Sequence, residues 1–211
     1  MGYNERPIRK KDLPMKKREF WKVCKKLANE ERIDVLRKVM ASPDKDGLPV
    51  GQIADAVRIG QPATSIYLAQ LQDVCGLVAC TRQGRYCLYR AVPDPSDAKM
   101  VALFRPLKKY FLAETPDWKS ANGVRPPAPP FLTILPALAN AMRVRLLGFV
   151  RAEKQTTRER IVKETGISDI NVRRHLACLV SCGLAREDDD AIVWCEPDNA
   201  LSRLFIELSL S

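Results

Sequence analysis

Apolar residues along this chain fall mostly at helical spacing. Phe20, Val23, Cys24 and Leu27 share one face of an expected helix over 15–27. Asn29 suits the N-cap of a second helix, with Glu30 and Glu31 in its positive first turn and Ile33, Leu36, Val39 and Met40 as its buried stripe. Residues 42–47 read as a loop and 50–57 as a short helix. A turn at 59–62 follows, then a third helix to about Val74 that buries Leu68 and Leu71, with Pro62 tolerated in its first turn. At Gly76 the period switches from helix to strand. Segments 77–82 and 85–90 are rich in β-formers and flank Gln83-Gly84, which predicts a hairpin with a two-residue loop. An amphipathic helix over 98–114 follows, with Pro106 inside it as a source of a kink.

The pattern then returns. Leu27-Ala28-Asn29 recurs as Leu138-Ala139-Asn140, Ser65–Leu71 as Arg173–Leu179, and Gly76-Leu77 as Gly183-Leu184. The second set predicts a helix over 132–152 and a helix capped by Thr156 with Glu159 three residues on. It then predicts a turn at Ile167-Ser168, a helix over 169–182, a hairpin over 184–195 and a closing helix over 199–210. The period is too long for a solenoid unit, so the chain reads as two copies of one small domain. Between them, 115–130 carries Pro116, Pro126, Pro127, Pro129 and Pro130 and reads as a semi-rigid linker. The expected organisation is a basic arm (1–14), a first domain (15–114), the linker (115–130) and a second domain (131–211). The fold class is mainly α with small β-hairpins, α+β overall. The helices flanking the two cores, 15–27 with 98–114 and 132–152 with 199–210, are expected to form a shared interface.

Two short helices joined by a tight turn and followed by a hairpin make a winged helix-turn-helix, whose second short helix has the dimensions of the DNA major groove. Leu27-Ala28-Asn29-x-x-Arg32-x-x-x-Leu36, Gln52-Ile53-Ala54, Leu68-x-x-Leu71, Gly76-Leu77-Val78 and Arg82-x-Gly84-Arg85-x-x-x-Tyr89 resemble the ArsR-type winged-helix repressors. The resemblance covers residues 20–115 and, more weakly, 131–210. It implies operator binding by paired winged-helix units and release on sensing a metal or other signal. The family's Cys-x-Cys sensing motif near the recognition helix is absent here, so the resemblance implies no metal site.

Charge sharpens the expected partner. Residues 1–26 hold 10 Lys/Arg against 3 Asp/Glu, whereas residues 131–211 hold 11 of each. The excess of +10 is therefore concentrated in an arm, which suits a polyanion or reads as a solvated leader. In the first repeat the expected reading face is Gln61, Thr64, Ser65, Tyr67 and Gln70, all uncharged, with Arg82 and Arg85 at the tip of the wing. Arginines there reach phosphates or the minor groove. The second repeat reverses this: Asn171, Arg173, Arg174 and His175 lie on the helix, and Glu187-Asp188-Asp189-Asp190 in the hairpin. Arg and Asn read guanine and adenine edges, but four carboxylates repel phosphates. Arg173-Arg174 equally fit a solvated helix surface, and His175 a packing or phosphate-contact role.

The expected function is that of a double-stranded DNA-binding transcriptional regulator, as an intramolecular pseudo-dimer or a homodimer. The alternative is a protein-interaction module on the same scaffold. No nucleophile–base pair, phosphate-cradling loop or paired carboxylates surround the single histidine, so no catalysis and no cofactor are expected. Seven cysteines without a Cys-x-x-Cys pair suggest reduced thiols rather than a zinc site. With a Gln83-Gly84 loop, Cys80 and Cys87 would stand directly opposite, about 4.5–5.5 Å apart at Cβ and near disulfide range, a candidate redox pair. Small buried hydrophobes are the other reading of these cysteines. No apolar run follows the basic N-terminus, and the longest apolar stretch, 131–142, is too short for a bilayer. A cytoplasmic protein without membrane contact is expected.

Deleting residues 1–14 removes Arg6, Arg9, Lys10 and Lys11. The slope of log affinity for duplex DNA against log salt should become shallower, by up to about 0.9 for each phosphate that the arm neutralises. An unchanged slope in a salt titration would place the arm off the DNA.

Overall fold

The computed structural model describes residues 19–114 and 128–211. The arm at 1–14, residues 15–18 of the first expected helix and linker residues 115–127 lie outside the described residues. Helices α1 (Phe20–Leu27) and α2 (Glu30–Ala41) lead into a two-residue strand β1 (Leu48–Pro49). Helices α3 (Val50–Val57) and α4 (Gln61–Asp73) follow, then strands β2 (Val78–Gln83) and β3 (Tyr86–Ala91) and helix α5 (Ala98–Glu114). The second half opens with a 3-10 turn, Pro130–Thr133, then α6 (Leu135–Leu138) and α7 (Ala141–Glu153). Strand β4 (Gln155–Thr157), helices α8 (Arg158–Thr165) and α9 (Asp169–Ser181), strands β5 (Ala185–Asp188) and β6 (Ala191–Trp194), and helix α10 (Ala200–Leu210) complete it. The fold is α+β, and element follows element in the same order in both halves.

Each half holds a three-stranded antiparallel sheet, β1-β3-β2 in one and β4-β6-β5 in the other. The hairpins were legible in the pattern; the third strands were not, because two or three residues carry no period. Backbone contact sets them. Leu48 pairs with Tyr89, and at Gly47 (φ +101°) a Cβ would stand 2.8 Å from the Tyr89 carbonyl oxygen, so only glycine lets β1 approach β3.

Three local expectations are corrected. The expected helix 132–152 is broken at Ala139-Asn140: Asn140 is extended (φ −151°, ψ 128°) and its Oδ1 accepts from the amides of Met142 (2.9 Å) and Arg143 (3.1 Å). Asn29 does the same for α2, accepting from Arg32 N at 2.8 Å. Each such cap contributes about 1 kcal/mol, enough to stop one helix and start another. The cap of α8 is Thr157, which accepts from Arg160 N, and not Thr156. Thr156 is instead buried in β4, opposite Ile192. The loop of the first hairpin is Gly84-Arg85 and not Gln83-Gly84, since Gln83 pairs with Tyr86 and the positive φ (+57°) falls on Gly84 at the first loop position.

Buried apolar residues of both halves form one continuous cluster. Leu68 and Leu71 are buried where α4 packs on α2 and α3, and Leu176 and Leu179 where α9 packs on α7 and α8. The halves meet along an aromatic seam. Phe205 of α10 stacks on Phe131 (5.2 Å between centroids) and meets Phe20 of α1 (6.1 Å). Phe131 in turn meets Tyr110 (5.7 Å) and Phe111 (6.3 Å) of α5. Lys99 Nζ donates to the Leu208 carbonyl at 2.8 Å across the same seam, and the Cys24 thiol, its pKa pushed up by burial, lies 3.9 Å from Ser209 Oγ. The expected interface is therefore present through α1, α5, α6 and α10. Helix α7 packs on α10, where Arg151 pairs with Glu207, as well as on α8, α9, β4 and β6. Among the described residues no helix is long and apolar enough to cross a membrane.

Phe205 is fully buried between the halves. Phe205→Ala should cost about 3–5 kcal/mol in urea unfolding, because it leaves a cavity that both halves line. A loss below about 1 kcal/mol would mean that the halves do not depend on the seam.

Candidate nucleic-acid interface

Helices α3 and α4 are joined by a tight turn in which Arg58 takes a left-handed conformation (φ +57°) and caps α3. Thr64 Oγ1 donates to the Ile59 carbonyl at 3.4 Å and is fully buried, so this residue locks the turn and does not face outward as the sequence led us to expect. Tyr67 is half-buried and ties α4 to α2. Its hydroxyl donates to Glu31, which raises its pKa, and the Arg32 guanidinium lies 5.0 Å from its ring centroid. Gln70 is half-buried as well. Of the expected reading face, Gln61 and Ser65 are exposed. Beside them stand Ile66, 56% exposed, and Ala69. Sequence reasoning missed Ile66 because an apolar residue is assigned inward by default. The signal was available, since an inward stripe of Thr64, Leu68 and Leu71 turns 62, 65–66 and 69 outward.

The β2–β3 hairpin follows α4, and β2 packs on that helix. Arg82, Arg85 and Arg90 are exposed along it, and Tyr86 is 67% exposed next to its loop. The first half thus sets an uncharged helix face near a hairpin of three arginines.

The second half has the same frame with different chemistry. Arg173 Nε donates to Asp169 Oδ2 at 2.9 Å, and Arg158 Nε lies 3.1 Å from the other oxygen of that carboxylate. Arg174 donates to Asn171 Oδ1 at 2.9 Å, and Asn171 Nδ2 to Ser168 Oγ at 3.0 Å. These residues are held in a surface network, with Ile170 80% exposed beside it. The carboxylates Glu187, Asp188, Asp189 and Asp190 are all exposed. A cleft of about 300 Å³ has Arg158, Glu159 and Arg173 on one wall and Glu187, Asp189 and Asp190 on the other. The acidic loop therefore lies beside α9 and does not turn away from it.

His175 is buried at 6% exposure, so it does not contact a ligand at this surface as it stands; its role is packing. Burial first, then the charges of Arg174 and of Arg143 on α7, hold its pKa below the usual histidine value. The cysteine expectation is also corrected. Cys80 pairs with Tyr89 and Cys87 with Arg82, so the two thiols lie diagonally on one face of the hairpin and not opposite one another. Diagonal neighbours on one face still reach each other, and the two thiols are in hydrogen-bonding contact. Both thiols are free, and burial together with neighbouring Cys87 raises the pKa of Cys80. On α9, Cys178 and the capping Cys182 are half-buried, with Cys182 pushed up to about 11. Among the described residues no group of three His, Cys, Asp or Glu side chains could hold a metal ion.

Compared with known proteins, the chain matches no family model, no curated protein and no solved structure.

The histidine gives a pH test. Its folded-state pKa is lowered, so below about pH 6.5 the unfolded chain binds the extra proton more readily than the folded one. The stability contributed by neutral His175 is full above that pH and is lost as pH falls through it. It is the only histidine in the chain. Urea unfolding should show a drop in stability from about pH 7.5 to about pH 5.5 that disappears in His175→Gln. An equal drop in that variant would exclude His175 as its source.

Proposed function

We propose that this chain is a sequence-specific, double-stranded DNA-binding transcriptional regulator. It is built from two winged helix-turn-helix units of ArsR type, fused as a pseudo-dimer. Helix α4 is the reading helix and β2–β3 the wing of the first unit. The observation that carries the reading is the exposure, within one half, of an uncharged α4 face and of Arg82 and Arg85 at the end of the hairpin whose strand β2 packs on α4. Wing arginines contact backbone phosphates and set register; a neutral helix is free to approach base edges without being fixed by phosphates. The aromatic seam does what a dimer interface does for two separate subunits.

The second unit does not dock as the first does. The surface pairing of Arg173 with Asp169 contributes at most about 1 kcal/mol and would not by itself keep the arginine from DNA. The acidic loop supports this difference. Each carboxylate brought within about 4 Å of a phosphate costs about 1 kcal/mol even at the dielectric of water, and the loop carries four of them. The same loop, lying beside α9, favours a second reading for this half as a protein-interaction surface on a winged-helix scaffold.

Fluorescence anisotropy on duplex DNA separates these roles. Arg85→Ala should weaken binding and lower the salt slope by about 0.9. Arg173→Ala should leave affinity within about two-fold. The reverse ranking would move the reading head to the second half, and no duplex binding by the intact chain would leave the interaction-module reading.

A further inference from the structure

The face that α4 presents constrains which DNA it can read. Helix α4 contains no lysine and no arginine, and its outward residues are Gln61, Pro62, Ser65, Ile66 and Ala69, with Asp73 at its far end. Arginine and lysine are the usual readers of guanine. Glutamine reads adenine through its N6 and N7, and apolar groups meet the methyl group of thymine. Gln61 sits at the end of the helix that enters a groove first, and its amide lies over Gly51 of α3, where a Cβ would stand 3.2 Å from Nε2. Ile66 lies one turn further along and contributes nothing to the core from its exposed position.

An exposed isoleucine alone signifies little, since single apolar residues are common on protein surfaces. The wing supplies an independent indication. Arg82 and Arg85 stand at the end of the hairpin with Tyr86 beside them, a cationic tip that suits the narrow and strongly negative minor groove of A-tracts. Helix and wing belong to one half and require the same kind of sequence, one through the major groove and one through the minor.

We infer that the first half reads A·T-rich duplex DNA, with Ile66 seated against thymine methyl groups and the wing arginines in the adjacent narrow minor groove. The inference rests on the DNA-binding function proposed above and adds the class of site and a specificity-determining residue. Ile66 is a major-groove contact that makes no hydrogen bond, so its contribution follows the methyl group and nothing else on the base.

Deoxyuridine differs from thymidine by that methyl group, which makes the test direct. The full-length chain selects its sites from a random duplex pool, and the selected duplex is remade with deoxyuridine at each thymine of the preferred core. The core should be A·T-rich. The wild-type chain should bind about four-fold more weakly for each methyl group removed beneath Ile66. Ile66→Ala and Ile66→Ser, changes at an exposed position whose folding is checked by circular dichroism, should bind the thymine duplex more weakly and respond little to deoxyuridine. A G·C-rich core overturns the inference while leaving DNA binding in place, as does undiminished deoxyuridine sensitivity in both variants. Failure of the wild-type chain to retain any duplex overturns the DNA-binding function and this inference with it.

Discussion

Everything else in this molecule is hung on the contact between Phe131 and Phe205. Phe131 stands at the entry to the second half and Phe205 in its last helix, and their rings stack at 5.2 Å. Around them close Phe20 of α1 and Tyr110 and Phe111 of α5, all from the first half. Aromatic side chains each bury about 150–250 Å² and add about 0.5–1.5 kcal/mol per well-placed ring pair beyond that burial. The rings of this seam therefore join the two halves by the same force that builds either core. The relation of the α3–α4 unit to the α8–α9 unit is then held by this packing.

On that shared frame the two halves diverge most at the surface. Several inward positions match: Leu68 and Leu71 of α4 correspond to Leu176 and Leu179 of α9, and Asn29 caps α2 as Asn140 caps α7. The outward positions do not. Ser65 and Ile66 stand where Arg173 and Arg174 stand in the other half, and Arg82 and Arg85 lie in a hairpin whose counterpart carries Glu187 to Asp190. A mutation on such a surface costs the fold little, whereas charge reversal changes the interaction with a polyanion by kilocalories. Two copies of one scaffold can therefore separate in function while keeping one fold.

How much of this was legible in the sequence depended on the length over which each signal is written. Helices α2, α3, α4, α5, α9 and α10 and both hairpins follow from sustained periodic patterns, and the repeat itself exposed the two-fold plan. Strands β1 and β4 are too short for a period and exist because a backbone edge was free to receive them. The break at Asn140 was written in the repeat, as the partner of Asn29, yet was outweighed by the apolar run around it. The hairpin register turned on which loop position takes a positive φ, and a shift in register moved Cys80 from facing Cys87 to facing Tyr89. For the candidate site, Arg85 lies in the hairpin loop and Arg82 one pair back from its end, opposite Cys87. Thr64 and His175 were lost to burial, because helical position alone does not say how deeply a helix sinks into its groove, and Ile66 was gained for the same reason.

Hydrogen exchange followed by mass spectrometry, with and without a bound duplex, tests the central claim most directly: that one half of a symmetric scaffold reads DNA. The amides of α4 and the β2–β3 hairpin, residues 61–91, should slow on binding. Those of α9 and the acidic β5–β6 hairpin, residues 169–194, should exchange as they do in the free chain. Equal slowing in both segments, or slowing confined to the second, would contradict the account.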